Sequence, residues 1–579
     1  MLLQPLLVSA FLSSLASSAP SSLGHSRSGP TAHVRNGTYN GVQNTHYNQD
    51  LFLGIPYAQQ PVGDLRFALP ASLNETWNGE RDAKAYGDIC VGYGTDSIWY
   101  PQSEACLTLN VIRDTSVEEG SDLPVGVWIH GGGFTQGSGA DERYNMSAIV
   151  GNAHRIGKPF IAVTLNYRLS AWGFLSSNET YAAGVTNLGL RDQRLALHWI
   201  QENIAAFGGD PSKVTIWGES AGGMSVGAQL RAYGGRDDGL FRGAIMQSGG
   251  SILRSGNATE NQEAYDEIVS KVGCSRTKDT LQCLRTVPFE TLNALFNGTD
   301  GTSAYPFSSP VVDGDLLPDL GSVQLDNHAF VKVPILAGTN TDEGTSFGPT
   351  GINTTKEWSD YLRINGTSGY IYSPPQIKDI LNLYPDIPSE GIPAFLGPAR
   401  IPSQGLQWRR TSAYAGDFLM HAPRRRQCEA WAESGIPAYC YRFNTRGNDV
   451  EYIGGVSHFT EVAFVFNNIA ALGYHYGAPF GNLTTEEFGR YSGLSRRVAG
   501  SWAGFIHDLD PNVPFSGGSN GTHGQEKGHG QVVWKQYDLE NPLDLVFDAN
   551  VTGYAALEQD TWRKEGIAWI NNHAEAFGR

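Results

Sequence analysis

The stretch KVTIWGESAGGMSVGAQLRAY at residues 213–233 joins an apolar, β-branched run, a glycine-flanked serine and a helical pattern. A strand, a sharp turn and a helix in this order can present a nucleophilic serine on a strained backbone, where only small neighbours avoid a collision. The pattern Gly-x-Ser-x-Gly occurs around Ser220, Ser225, Ser346 and Ser519. Because the chain has 70 glycines in 579 residues, about one match is expected by chance, and the pattern alone selects no serine.

The surroundings of the four serines differ. Only Ser220 has a strand-like run before it and a helix-like run after it. Ser225 lies within the predicted helix, where a small residue allows close packing. Ser346 follows an apolar run, but the polar residues 349–355 after it predict no helix with an apolar face, and Ser519 lies in a Gly/Asn turn. We therefore predict that Ser220 is the nucleophile.

Strand-like runs alternate with helical stretches through the chain. The runs lie at 125–129, 160–165, 214–217, 244–247, 333–337 and 438–443. Between two of them, residues 191–206 have apolar residues on one helical face. This alternation predicts parallel βαβ units in a doubly wound α/β sheet. Because no repeat or dividing linker is visible, we predict one large domain over 20–579, with a polar surface loop at 516–530.

The first 19 residues, MLLQPLLVSAFLSSLASSA, form a short apolar run that ends in small residues but lacks Lys or Arg. Such a run is too short to span a bilayer and is typical of a secretory signal peptide. No later run is long and apolar enough to predict a transmembrane anchor. The formal net charge of −17 disfavours a nucleic-acid partner, because no basic patch is available for phosphates. We predict a secreted, extracellular protein.

Sequons and cysteines agree with secretion. The Asn-x-Ser/Thr sequons predict N-glycans, and they lie at Asn36, Asn74, Asn145, Asn178, Asn257, Asn297, Asn353, Asn365, Asn482, Asn520 and Asn550. The cysteines form the close pairs Cys90/Cys106, Cys274/Cys283 and Cys428/Cys440. Such short loops favour disulfides in an oxidising compartment; buried free thiols are the alternative.

The segment HGGGF at 130–134 directly follows an apolar run. A serine that attacks a carbonyl creates an oxyanion, which needs backbone N–H donors that are already aimed at it. Consecutive glycines let the backbone approach a substrate closely enough to do so. We predict the N–H groups of Gly132, Gly133 and Ala221 as these donors and His130 as a scaffold residue; an ordinary glycine turn is the alternative.

An activated serine also needs a general base and a carboxylate that orients the base. His458 is our candidate base, because it lies in the glycine-bearing segment GGVSHFTEV (454–462) after a strand-like run. The segment NTDEG at 340–344 offers Asp342 and Glu343 at the predicted carboxyl end of a strand. The residues alone do not show which of these two acids would orient the base. This chemistry needs no metal and no organic cofactor.

Together these motifs resemble the type-B carboxylesterases, the family that includes cholinesterases and the secreted lipases and sterol esterases of fungi. The matching segments run nearly end to end: GIPYAQQPVGDLRF (54–67), EACLTLNV (104–111), WIHGGGF (128–134), NYRLSAWGFLS (166–176), NLGLRDQRLALHWIQENIAAFGGDP (187–211), VTIWGESAGG (214–223), MQSGG (246–250), GTNTDEG (338–344) and GVSHFTEVAFVF (455–466). The resemblance implies an α/β-hydrolase fold, with a large, mostly parallel sheet flanked by helices, and a serine esterase that acts on carboxylic esters.

Residue by residue, the resemblance implies that Ser220 is the nucleophile, Glu343 the acid and His458 the base. The chain order serine, acid, histidine is that of α/β-hydrolases. The resemblance also implies that three further residues support the triad, namely Glu219, Ser248 and Glu461.

The resemblance also implies the ion pairs Arg66–Glu104 and Arg168–Asp192. Two of the cysteine pairs, Cys90–Cys106 and Cys274–Cys283, match family disulfides, whereas Cys428–Cys440 is not part of the general pattern. The chain departs from the family at Ala105, where an Asp usually precedes the cysteine.

Trp99 lies in the loop between Cys90 and Cys106, and Phe134 and Phe459 lie beside candidate catalytic groups in the sequence. We predict that they line the substrate pocket; the alternative is that they are ordinary core aromatics. Two other functions remain open: a lipase or sterol esterase that acts on aggregated lipid, and a non-catalytic binding module with this fold. Such modules usually lack a member of the triad, whereas this chain has all three.

The loop between Cys90 and Cys106 contains only residues 91–105, whereas lipase-like relatives have a much longer flap there. A short loop has little apolar surface with which to cover a site and open at an oil interface. We expect no marked interfacial activation, measured as the hydrolysis rate of a short-chain ester across its solubility limit. A sharp rise in rate at that limit would contradict this expectation.

Overall fold

The computed structural model describes residues 29–367, 369–448, 452–514 and 532–579. The predicted signal peptide at 1–19, Ser519, Asn520 and the predicted loop at 516–530 lie outside these ranges.

Within the described residues, eleven strands form one mixed sheet. In chain order they are β1 (Val42–Asn44), β2 (Gln49–Pro56), β3 (Thr108–Asp114), β4 (Leu123–Ile129), β5 (Ile161–Leu165), β6 (Gly209–Glu219), β7 (Gly243–Gln247), β8 (Ile335–Asn340), β9 (Ala438–Phe443), β10 (Leu543–Phe547) and β11 (Ala555–Gln559). The spatial order is β11-β10-β9-β8-β7-β6-β4-β5-β3-β2-β1. All neighbours from β5 to β10 are parallel, and the outer neighbours are antiparallel. The predicted α/β fold is confirmed.

The connections between the strands are mainly helical. The α-helices are α1 (Ser147–Arg155), α2 (Ser170–Phe174), α3 (Asn178–Ala182), α4 (Leu188–Asn203), α5 (Ala221–Gly235), α6 (Gln262–Lys271), α7 (Thr280–Thr286), α8 (Phe289–Phe296), α9 (Gly321–Asp326), α10 (Thr355–Ile364), α11 (Pro374–Leu383), α12 (Trp408–Gly416), α13 (Ala422–Glu433), α14 (Val462–Val465), α15 (Thr485–Asp508) and α16 (Lys564–Asn572). The helix predicted over 191–206 therefore begins earlier, and it ends in a 3₁₀ turn at Ile204–Phe207. No helix among the described residues is both long and apolar enough to cross a membrane.

Successive side chains of a strand point to opposite faces of the sheet. Helices cover both faces here, so the central strands are buried on both sides. On one face, Val127 and Ile216 belong to a cluster that includes residues of α4 and α5. On the other face, Trp128 and Trp217 lie with ring centroids 4.9 Å apart in a cluster that includes residues of α15. The sheet is thus held rigidly between two helical layers, with the carboxyl ends of its parallel strands at one edge.

Three predicted disulfides are present, Cys90–Cys106, Cys274–Cys283 and Cys428–Cys440. Both implied ion pairs also form. Arg66 binds Glu104 through Nε–Oε1 at 2.6 Å and Nη2–Oε2 at 2.8 Å. Arg168 binds Asp192 through Nε–Oδ2 at 2.8 Å and Nη2–Oδ1 at 2.6 Å, with the Asp192 side chain fully buried.

Because Asp192 neutralises a buried guanidinium, Asp192→Ala should lower the free energy of unfolding by about 3–5 kcal/mol. The matched control is Glu202→Ala, since Glu202 pairs with Arg35 while both side chains are more than half exposed. The control should lose less than about 1 kcal/mol. Chemical denaturation of the two variants measures the difference, and equal losses would contradict the assignment.

Candidate active site

Ser220 lies at the turn between β6 and α5, with φ 55° and ψ −125°. Non-glycine residues rarely adopt this conformation, so the surrounding contacts must hold it in place. One of them is the hydrogen bond from the Ser220 N–H to the carbonyl of Gln247 at 2.9 Å. The start of α5 also passes so close to β4 that a Cβ on Gly222 would lie 2.0 Å from the carbonyl oxygen of Ile129. The glycine after the serine is therefore required by packing.

The other serines with the same pattern have different surroundings. Ser225 is fully buried in α5, and its Oγ accepts a hydrogen bond from Gln193 Nε2 at 2.9 Å. This agrees with the predicted packing role. Ser346 ends a 3₁₀ turn at Glu343–Ser346, and no strand–turn–helix unit surrounds it.

The glycine segment lies directly against the serine turn. A Cβ on Gly131 would lie 3.1 Å from the Cβ of Ser220. Gly132, Gly133 and Phe134 all have positive φ, at 93°, 64° and 60°. Within the described part of the chain, the N–H groups of Gly132, Gly133 and Ala221 donate no hydrogen bond. These three N–H groups lie beside Ser220 and have no acceptor among the described residues.

His458 and Glu343 are in direct contact. The imidazole Nδ1 lies 2.7 Å from Glu343 Oε2, and a carboxylate acceptor there fixes the proton on Nδ1. The other oxygen, Oε1, accepts from the backbone N–H of Asn340 at 2.7 Å and from the hydroxyl of Ser248. The neighbouring Asp342 instead accepts from the backbone N–H of Val456. Glu343, and not Asp342, is therefore the acid that contacts the imidazole.

Glu219 and Glu461 bring two further carboxyl groups close to this pair. Glu219 Oε1 lies 3.3 Å from His458 Nε2. Glu461 accepts from Gln247 Nε2 at 3.0 Å and from the side-chain amide of Asn340. With Glu343, they form a cluster of three glutamates that are all at most 1% exposed.

The glutamate cluster shifts the pKa of the histidine. Burial raises the pKa of Glu219 well above its usual value and also raises the pKa of Glu461. Burial alone would lower the pKa of His458, but the charges of Glu219, Glu343 and Glu461 outweigh it and raise this pKa to about 9. The arrangement therefore favours the imidazolium form.

His130 has the opposite environment. It is fully buried, and its ring stacks on Tyr167 with centroids 4.4 Å apart. Burial lowers the pKa of His130 to about 4. A neutral, stacked imidazole agrees with the predicted scaffold role.

The three predicted pocket aromatics lie in different surroundings. Phe134 is 3% exposed and packs edge-on against Phe174 in the core, with centroids 5.0 Å apart. Trp99 is 45% exposed and stacks on His475 with centroids 4.0 Å apart. Phe459 lies under the guanidinium of Arg143, whose Cζ is 4.8 Å from the ring centroid.

Sequence reasoning missed two residues of the site. The ring of Phe347 packs edge-on against His458 with centroids 4.9 Å apart, and 39% of this residue is exposed. Its position four residues after Glu343 could have indicated that Phe347 lies near the candidate acid. Asn340 was also missed, although it contacts both Glu343 and Glu461. Among the described residues, no group of three or more His, Cys, Asp or Glu side chains is arranged to hold a metal ion.

Comparison with known proteins agrees with this geometry. The sequence model of the carboxylesterase family matches residues 28–562. Lipase 2 of Geotrichum candidum is 32% identical, over 91% of this chain and 93% of its own length. The secreted triacylglycerol lipase LIP1 of Gibberella zeae is 32% identical, over 80% of this chain and 79% of its own.

Two solved structures have the same fold. Aspergillus niger EstA superposes with a TM-score of 0.78 at 27% identity, over 95% of this chain and 99% of EstA. A PNB esterase gives a TM-score of 0.70 at 28% identity, over 93% of this chain and 99% of its own. Since the family match spans most of the sequence and both solved structures share the fold over more than nine-tenths of this chain, the chain belongs to the carboxylesterase family and is a carboxylic ester hydrolase.

Proposed function

We propose that the protein hydrolyses esters through an acyl-enzyme on Ser220, with His458 as general base and Glu343 as the carboxylate that orients it. The observation that carries this proposal is the 2.7 Å contact between His458 Nδ1 and Glu343 Oε2. This contact leaves Nε2 as the free nitrogen, and Nε2 lies 3.3 Å from Glu219, the residue directly before Ser220.

In the first half of the reaction, His458 Nε2 takes the proton of the Ser220 hydroxyl as Oγ bonds to the carbonyl carbon. The negative charge moves to the carbonyl oxygen, where the N–H groups of Gly132, Gly133 and Ala221 donate to it. The intermediate then collapses. The carbon–oxygen bond to the alcohol breaks, and the imidazolium gives its proton to the leaving oxygen.

In the second half, Nε2 takes a proton from water, and the resulting hydroxide oxygen bonds to the acyl carbon. Collapse of this second intermediate releases the carboxylic acid and returns the proton to Ser220 Oγ. An imidazolium forms in both intermediates. The buried charges of Glu219, Glu343 and Glu461 stabilise it, as the raised pKa of His458 indicates.

We propose a soluble ester as the substrate rather than an aggregated lipid. The supporting observation is the short loop at 91–105, whose exposed apolar surface at the tip is limited to Ile98 and Trp99, which are 65% and 45% exposed. A lipase is the second candidate, because relatives carry the names lipase and triacylglycerol lipase. The rate across the solubility limit of a short-chain ester separates the two.

We propose that the protein is secreted, N-glycosylated and built as one catalytic domain over 20–579. Relatives named as secreted lipases from Gibberella zeae and Botryotinia fuckeliana support secretion. Most sequon asparagines within the described residues are exposed, as a glycan requires; these are Asn74, Asn178, Asn257, Asn297, Asn353, Asn365, Asn482 and Asn550.

Ser220→Ala should abolish ester turnover, because no other hydroxyl occupies the strained turn beside the glycine segment. Ser225→Ala is the matched control in the same helix and should retain most of the activity. An organophosphate should label wild-type protein at Ser220 and leave Ser220→Ala unlabelled. A folded wild-type protein that takes no label would instead favour a non-catalytic binding module.

Glu219→Gln should change the pH profile. The general base must be neutral, so kcat/KM rises as pH passes through the pKa of His458. Glutamine cannot supply the negative charge that Glu219 presents to the imidazolium, so the pKa of His458 falls and the acid limb should move to lower pH by about one to three pH units. The control is Glu429→Gln, because Glu429 is a partly buried glutamate on α13 whose charge does not act on His458. An unmoved acid limb in Glu219→Gln would refute this account.

A further inference from the structure

We propose that Asp342 is a positioning residue, whose carboxylate ties the loop that carries His458 to the turn that carries Glu343. The proposal rests on the proposed function, since it concerns how the base meets its carboxylate. Asp342 does not contact the imidazole, and it would act only through the backbone of the His458 loop.

Two hydrogen bonds join Asp342 to Val456. The Val456 N–H donates to Asp342 Oδ2 at 2.8 Å, and the Asp342 N–H donates to the Val456 carbonyl at 2.9 Å. Asp342 directly precedes Glu343, and Val456 lies two residues before His458. The acid and the base are 115 positions apart in the chain. The two hydrogen bonds join the backbone one residue before the acid to the backbone two residues before the base.

The His458 loop is shaped to fit the carboxylate. Gly455 has φ 66°, and a Cβ there would lie 2.3 Å from Asp342 Oδ2 and 2.8 Å from Pro393 Cγ. A side chain at position 455 would therefore push the loop away from Asp342. A second tie lies beside the first, because the Thr345 hydroxyl is 2.7 Å from the carbonyl of Gly454.

Burial makes the ionised form of Asp342 costly. Asp342 is 2% exposed, and its Oδ1 has no hydrogen-bond partner among the described residues. Burial raises the pKa of Asp342 to about 6, although Val456 N–H and the charges of Arg563, Arg442 and Arg409 act in the opposite direction. The folded state thus holds the proton more tightly than the unfolded chain, and stability falls as pH rises through the window from about 4 to 6.

Ionisation of Asp342 at neutral pH therefore costs part of the folding free energy, and the hydrogen bond to Val456 offsets part of that cost. A charged oxygen is a stronger acceptor for the Val456 N–H than a neutral one. A strong bond there fixes the backbone two residues before His458. Since a displacement of about 1 Å in a catalytic group can cost about a hundredfold in rate, a fixed backbone at this point should matter for the position of His458.

The first test compares Asp342→Ala with Asp342→Asn. The alanine removes the acceptor, so kcat should fall by about tenfold or more while KM stays within about twofold. The acid limb of kcat/KM should also move to lower pH, because His458 loses its close contact with Glu343. The asparagine can still offer its amide oxygen to the Val456 N–H, so it should recover most of the lost kcat and restore the acid limb.

The matched control is Asp313→Ala. Asp313 is also buried, and its carboxylate accepts from the backbone N–H of Leu317 at 2.9 Å and from the side chains of Thr186 and Asn187, away from His458 and Glu343. This variant should lower the melting temperature and leave kcat and the acid limb unchanged. If Asp342→Ala does not fold, Gly455→Ala disturbs the same contact from the other side and should also move the acid limb.

Three outcomes would overturn the proposal. The first is a kcat of Asp342→Ala within about twofold of wild type, and the second is an equal loss of kcat in Asp342→Ala and Asp342→Asn with an unmoved acid limb. The third is an unmoved acid limb in Gly455→Ala. Ser220→Ala in the same series separates this failure from that of the proposed function. Turnover that persists in Ser220→Ala refutes the proposed function itself. An inactive Ser220→Ala together with a wild-type-like Asp342→Ala refutes only the positioning role.

Discussion

The close approach of α5 to the end of β4 is the constraint on which the candidate site depends. A Cβ on Gly222 would lie 2.0 Å from the Ile129 carbonyl, so the helix can begin there only without a side chain. This approach holds Ser220 at φ 55° at the edge of a sheet buried on both faces. It also sets the N–H of Ala221 beside the glycine segment that follows β4. Strain at one residue is thus held in place by a large, rigid core.

A second constraint is the burial of three carboxyl groups around His458. Three glutamates that are at most 1% exposed lie around one histidine, and burial raises the pKa of Glu219 and Glu461. Such a cluster is costly to bury unless an opposite charge forms beside it. An imidazolium at His458 is that charge, so the electrostatics of the fold and of the proposed reaction are coupled.

The fold could be predicted, and candidate site residues could be proposed, because their signals are local. Residues 213–233 alone contain the patterns of a strand, a glycine-flanked serine and a helix. The glycine segment at 130–134 is likewise recognisable from a few consecutive residues. Helix and strand ends were less predictable, as the shift of α4 to Leu188–Asn203 shows, because packing decides where an element stops. The inward orientation of Phe134, whose ring packs on Phe174, also had no local signal.

The sequence by itself determined the α/β class and the chain order of the candidate residues, and it predicted Ser220 among four similar serines, because backbone sterics and periodicity shape these patterns. The spacing of the residues could not choose between the neighbours Asp342 and Glu343, and only the family resemblance pointed to Glu343. The tertiary structure shows which of the two contacts His458, because the pair lies 115 positions apart in the chain. It also brought Phe347 onto His458 and Val456 onto Asp342. These contacts join segments that are distant in the chain, and such segments meet only when the sheet has formed.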